Sequence, residues 1–125
     1  MAQTYVLVHG AWHGGWCWRH VRKRLTDAGH GVFAPSLTGM GARHHLGRPD
    51  TDLNTHIADI VALIDVEELR DVVLVGHSYG GFVISGVAAA RPTALARLVF
   101  VDAFVPEDGE SVIAGAPPER IAAVR

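Results

Sequence analysis

Val72-Val-Leu-Val-Gly76-His77-Ser78-Tyr79-Gly80-Gly81 is the stretch whose reading decides the fold. Four apolar, mostly β-branched residues lead into Gly-x-Ser-x-Gly, and a helix-compatible segment runs on to Pro92. An apolar run without polar alternation predicts a strand buried on both faces, as in a parallel sheet. The turn after it must be tight, because strand and helix fold back on each other. Gly76 and Gly80 flank the serine at minus two and plus two, where a Cβ would collide with the opposite arm of the turn. Ser78 is then expected in a strained conformation, its hydroxyl lifted out of the carboxyl edge of the sheet.

Upstream, Thr4-Tyr-Val-Leu-Val8 predicts a first strand that ends in His9-Gly10-Ala11-Trp12-His13-Gly14-Gly15. Three glycines in that loop let backbone rather than side chains face a ligand. Trp18, Val21, Leu25 and Ala28 recur at helical spacing, with Gly29 placed to end the helix. His30 to Pro35 predicts a second strand, followed by a polar loop to about Asp50. Asp52, Asn54 and Thr55 are candidate caps for a helix whose apolar face is Leu53, Ile57, Ile60, Val61 and Ile64, with Asp59 and Asp65 outside it. The helix after Ser78 has almost no polar side and is expected to be buried. Leu98 to Val101 predicts a fourth buried strand with Asp102 at its carboxyl end. From Phe104 to Arg125 the chain, with one short apolar cluster at Val112-Ile113, reads as irregular with one helical turn or more.

This alternation predicts an α/β fold: a parallel sheet of about four strands, in the order second-first-third-fourth, with flanking helices. Ligands in such sheets bind beyond the carboxyl ends of the strands, where the Gly-rich loop and the Ser78 turn both fall.

Composition narrows the function classes. The chain has 125 residues, 49% of them hydrophobic, and a formal net charge of −2. That balance gives no field favouring nucleic acid or an anionic membrane. Arg19, Arg22, Lys23 and Arg24 suit the solvated end of a helix. One cysteine, Cys17, rules out an internal disulfide and fits a reducing, cytoplasmic setting. Neither a signal peptide nor a membrane-spanning run is seen. A dinucleotide site would want G-x-G-x-x-G and an acid after the second strand, and Gly10, Gly14, Gly15 and Pro35-Ser36 do not supply them. His9 and His13 lie in a loop, and His44 and His45 are adjacent, so no metal or other cofactor is expected.

A serine hydroxyl needs a base to take its proton, and the acyl-transfer intermediate needs its oxyanion held. Two backbone N–H groups can hold it, one from Tyr79 at the start of the helix and one from the His9-Gly10-Ala11 turn. His9-Gly-Ala-Trp-His-Gly-Gly-Trp-Cys-Trp18 together with Gly76-His-Ser-Tyr-Gly-Gly81 resembles the α/β-hydrolase superfamily, in particular its branch of plant methylesterases, hydroxynitrile lyases and bacterial esterase-like relatives. Leu37-Thr-Gly-Met-Gly41 and Val99 to Gly109 resemble the bacterial members. The resemblance implies a nucleophile elbow at Ser78, an oxyanion hole from the amides of Ala11 and Tyr79, and an acyl pocket lined by Trp12 and His13. It also implies a small-molecule ester as substrate.

In that family the chain order is serine, acid, histidine, and members are about twice this long. Here all eight histidines lie at or before His77. Residues 1–125 are therefore expected to be the N-terminal part of one hydrolase domain, with 103–125 the start of a truncated cap region. His9 is expected to support the oxyanion loop, His77 to point away from the serine, and Asp102 to be structural. The competing readings are a non-catalytic module on the same fold and a lyase on the same scaffold.

Two outcomes are expected of the 125 residues alone. Turnover of an activated ester should be slow, since an oxyanion hole without its triad leaves on the order of 10³-fold over water. Leu98 to Val101, apolar on both faces with no later strand to pair with it, should drive self-association through the exposed sheet edge. Light scattering at micromolar concentration checks the second; a monodisperse, cooperatively melting monomer would contradict it.

Overall fold

The computed structural model describes residues 2–105 and 121–122. Four strands, β1 (Thr4–Val8), β2 (Gly31–Phe33), β3 (Val72–His77) and β4 (Leu95–Val101), form a parallel sheet in the order β2-β1-β3-β4. Between them lie α1 (Arg19–Asp27), α2 (Leu53–Val66) and α3 (Gly80–Ala90). Short 3₁₀ turns at Gly15–Trp18, Gly41–Leu46 and Pro92–Ala94 complete the connections. The expected sheet and strand order are both found.

Strand pleating divides the core in two. Val6, Val8, Val72 and Leu74 point to one face and pack with Ile60, Ile64, Val83, Ile84 and Val87 of α2 and α3. Leu7, Val73 and Val75 point to the other, against Trp18. The central strand β3 is buried on both faces, which is why it carries no polar residue before His77.

Several boundaries differ from the sequence reading. Trp18 is buried, but in the 3₁₀ turn ahead of α1, and α1 itself contains no buried residue. Val21, which its spacing places on the apolar stripe, is exposed. β2 is shorter than predicted because it pairs on one side only, with β1. β4 begins at Leu95, three residues early, since the turn at Pro92–Ala94 feeds straight into it. After Asp102, Ala103–Phe104 (β5) pairs antiparallel with Ile121–Ala122 (β6), where no strand was predicted. The apolar cluster at Val112-Ile113 lies outside the described residues.

Helix ends show how local chemistry fixes the layers. Asp52 caps α2: its carboxylate accepts from the Thr55 N–H at 3.1 Å and the Thr55 hydroxyl accepts from the Asp52 N–H at 3.1 Å. Asp65, placed outside the apolar face by its spacing, takes a two-pronged hydrogen bond from Arg91 at the end of α3. That guanidinium holds the Asp65 carboxyl below its usual range.

Both α1 and α2 end in the same motif. In α1 the N–H groups of Gly29 and His30 donate to Thr26 and Leu25, with Gly29 at φ +93°. In α2 those of Glu68 and Leu69 donate to Asp65 and Ile64, with Glu68 at φ +53°. Glu68 thus occupies a left-handed position that glycine fills without strain. Glu68→Gly is expected to raise stability by about 1 kcal/mol and Gly29→Ala to lower it by about as much, read from urea midpoints.

Candidate active site

β3 ends at His77 and α3 begins at Gly80, so the chain reverses within Ser78 and Tyr79. Ser78 has φ +55°, a region in which non-glycine residues are uncommon and strained. A Cβ on Gly76 would lie 2.7 Å from the Gly80 carbonyl oxygen, so the residue at minus two does meet the opposite arm of the turn. A Cβ on Gly80 would instead lie 2.7 Å from the Val8 carbonyl oxygen, so the glycine at plus two answers to β1. Gly81 faces the Phe104 carbonyl in the same way. The Ser78 carbonyl accepts from Gly81 and Phe104 N–H groups at 3.0 and 3.2 Å, which fastens the turn from α3 and from β5.

The loop after β1 lies directly on this elbow. A Cβ on Gly10 would sit 3.0 Å from the Ser78 Cβ and 3.1 Å from the His77 carbonyl oxygen. Ala11 and Trp12 form the tip of a turn closed by the His13 N–H donating to the Gly10 carbonyl. His9, fully buried, braces it. Its Nδ1–H donates to the Gly10 carbonyl at 2.7 Å and its Nε2 accepts from the Leu37 N–H at 3.0 Å, so the ring is neutral with the proton on Nδ1. Burial pushes the His9 imidazole below its ordinary range. Tyr79 follows Ser78 and Ala11 follows Gly10, and the N–H of neither donates a hydrogen bond to another described residue.

Trp12 is 95% exposed at φ +61°. With Ala11, His13, Met40, Gly41 and His44 it lines an open cleft of about 510 Å³. His13 reaches inward: its ring lies 5.7 Å from Trp16 and 5.9 Å from His77, and its Nδ1 is buried without a partner among the described residues. The His77 ring packs edge-on against Trp18 at 6.4 Å. Burial and the neighbouring His13 lower its pKa, against a raising effect of Asp102. No group of three metal-ligating side chains is gathered among the described residues.

Two residues that the sequence reading passed over join this site. Asp59, expected on the outer side of α2, is largely buried and accepts from the Thr38 N–H and hydroxyl, each at 2.7 Å. The spacing placed it outside the apolar stripe; the loop after β2 then folds over it. His56, 5% exposed, contacts Tyr79 Oη through Nδ1 at 2.7 Å and the Thr38 carbonyl through Nε2 at 2.9 Å. The signal for it was available, since His56, Ile60 and Ile64 repeat at i, i+4, i+8 on one face.

The depressed His9 and His77 values have a sign that can be checked. Both rings resist protonation when folded and accept it near pH 6.5 when unfolded. Stability is therefore fully present above about pH 6.5 and is lost as pH falls from there through the depressed folded values. His9→Gln, whose side-chain oxygen can still accept from the Leu37 N–H, removes one titrating group. Urea midpoints between pH 7.5 and 5 are expected to fall less steeply in this variant; an unchanged slope would contradict the assignment.

Comparison with known proteins agrees with this geometry. A model of the alpha/beta hydrolase family matches residues 5–125. The carbendazim hydrolyzing esterase of Nocardioides sp. (strain SG-4G) is 53% identical over 120 residues, covering 93% of this chain and 50% of the esterase. Methylesterase 3 of Arabidopsis thaliana is 37% identical over 113 residues, covering 87% of this chain and 42% of that protein. Among solved structures, an extracellular alpha/beta-hydrolase from a Paenibacillus species superposes with a TM-score of 0.84 at 36% identity, over 94% of this chain and 47% of that one. The chain spans about half the length of the relatives it matches. With a parallel sheet, a strained serine elbow and a Gly-rich loop laid upon it, the chain belongs to the alpha/beta hydrolase family.

Proposed function

We propose that this chain carries the nucleophile and oxyanion site of a hydrolase of small carboxylic esters. The observation that carries the reading is Ser78 at φ +55°, with the Gly10 backbone packed against its Cβ. Ser78 Oγ attacks the ester carbonyl, and the N–H groups of Ala11 and Tyr79 hold the resulting oxyanion. Collapse of that intermediate expels the alcohol and leaves an acyl-serine, which water hydrolyses to the acid. Trp12 and His13 line the acyl side of the cleft. The esterase and methylesterase among the relatives are named for ester chemistry, which supports this substrate class.

Attack requires a base within hydrogen-bond reach of the serine hydroxyl. Among the described residues no side chain hydrogen-bonds Ser78 Oγ, so we infer that the 125 residues alone turn over esters slowly. No described helix is long and apolar enough to cross a membrane. A cytoplasmic setting, which the free Cys17 fits, is part of the same proposal, although the Paenibacillus relative is described as extracellular.

A fluorophosphonate probe read by intact mass tests the nucleophile. With no base in reach the adduct is expected to form slowly; one such adduct that disappears in Ser78→Ala supports the nucleophile, and labelling that survives the substitution would refute it. The strained, exposed Trp12 gives a second expectation. Trp12→Gly should raise stability by about 1 kcal/mol through relief of its positive φ. The same change should weaken binding of a benzoate ester roughly tenfold, by NMR titration, through loss of the ring face.

A further inference from the structure

A chain of partly buried hydrogen bonds joins one wall of the cleft to the residue beside Ser78 through an imidazole that bonds neither Ser78 nor the cleft lining. One wall is the loop after β2, whose Gly39, Met40, Gly41 and His44 face the cleft across from Ala11, Trp12 and His13. That loop is held by its backbone at two consecutive residues. Leu37 N–H donates to His9, Thr38 N–H donates to Asp59, and the Thr38 carbonyl meets His56 Nε2. The other nitrogen of His56 meets the hydroxyl of Tyr79, the residue next to Ser78.

Donor and acceptor roles around His56 follow from its partners. A carbonyl can only accept, so Nε2 carries the proton and donates to Thr38. Nδ1 then accepts from the Tyr79 hydroxyl. Burial, then Asp52 and Asp59, push the Tyr79 phenol up to about 12, so it stays a donor at any physiological pH. The Tyr79 ring sits at 5.6 Å from the imidazole and nearly perpendicular to it, with Phe82 on another side. Every polar atom along Asp59–Thr38–His56–Tyr79 that meets the next one is therefore committed in a single direction.

We propose that His56 is a positioning residue that sets the Tyr79 backbone N–H against the oxyanion and locks the facing cleft wall to the same point. This rests on the oxyanion role proposed above for Tyr79. A side chain anchored at its far end fixes the torsions of the residue that bears it, and here that residue must hold its N–H on a reacting oxygen. The link through Thr38 makes the width of the cleft depend on the same imidazole. His56 thus couples rate to specificity without contact with the ester.

The two links can be cut separately. His56→Gln places an amide donor near the Nε2 position, which keeps the Thr38 bond and drops the Tyr79 bond. His56→Asn places an acceptor near the Nδ1 position, which keeps Tyr79 and drops Thr38. Tyr79→Phe cuts the first link from the other side. The Tyr79 amide resonance and ester kinetics are measured in all three variants and in the His56→Gln/Tyr79→Phe double variant. His56→Gln and Tyr79→Phe are expected to move the Tyr79 amide resonance alike and to lower kcat roughly tenfold, less than outright loss of an oxyanion donor costs. The double variant should be no slower than either single, because both remove one interaction. His56→Asn should leave the Tyr79 amide in place and raise KM with kcat kept. A Tyr79 amide unmoved in both His56→Gln and Tyr79→Phe overturns the proposal, as does an equal loss of melting temperature in all variants with kcat and KM unchanged. Turnover that survives Ser78→Ala would remove the serine reading instead, and the amide comparison would still decide the positioning role.

Discussion

Between the end of β3 and the start of α3 the chain has two residues in which to reverse, and it does so by packing backbone directly on backbone. Gly76 lies under the Gly80 carbonyl, Gly80 under that of Val8, Gly81 under that of Phe104, and Gly10 over Ser78 itself. Four missing side chains let β1 and the loop after it, β3, α3 and β5 close up around one serine. The left-handed conformation of Ser78 costs on the order of 1–3 kcal/mol and persists because these neighbours leave it no alternative. Much of the site geometry follows from that constraint. A Cβ on Gly10 would crowd Ser78 and the His77 carbonyl, so glycine there lets the loop after β1 lie close on the elbow.

Buried imidazoles then distribute that rigidity. His9 fastens the Gly10 carbonyl to the Leu37 N–H, and His56 fastens Tyr79 to Thr38. Both nitrogens of each ring meet a polar partner, so neither imidazole leaves a buried polar atom unpaired. His9 ends on Leu37 and His56 on Thr38, two consecutive residues of the loop after β2. A loop with little regular structure of its own thus acquires a defined place beside the elbow. His13 differs, since its Nδ1 has no partner among the described residues and it lies beside the cleft.

The two faces of the sheet are unequally covered. α2 and α3 bury one face thoroughly, while the other is covered by Trp18 and an α1 without a buried residue. Tyr5, Val32, Val99 and Val101 on that second face remain partly open. Relatives of about twice the matched length place the same first half in a larger protein.

Sequence by itself determined the strand order, the buried central strand, the buried α3, and the serine elbow. Those features are written in local terms: apolar runs of strand length, helical periodicity, and glycines at fixed offsets from Ser78. Tertiary structure decided what could not be local. Gly80 proved to answer to β1 rather than to its own turn, Asp59 to a loop residue 21 positions before it, and His56 to partners 18 and 23 residues away. Helical spacing placed His56 on the apolar stripe, yet a stripe says only that a residue is inside, not what it bonds there. An apolar side chain is satisfied by any neighbour, so its burial can be read from pattern alone. A buried polar one needs a particular donor or acceptor, and which one it meets depends on how distant segments are brought together by the folded sheet.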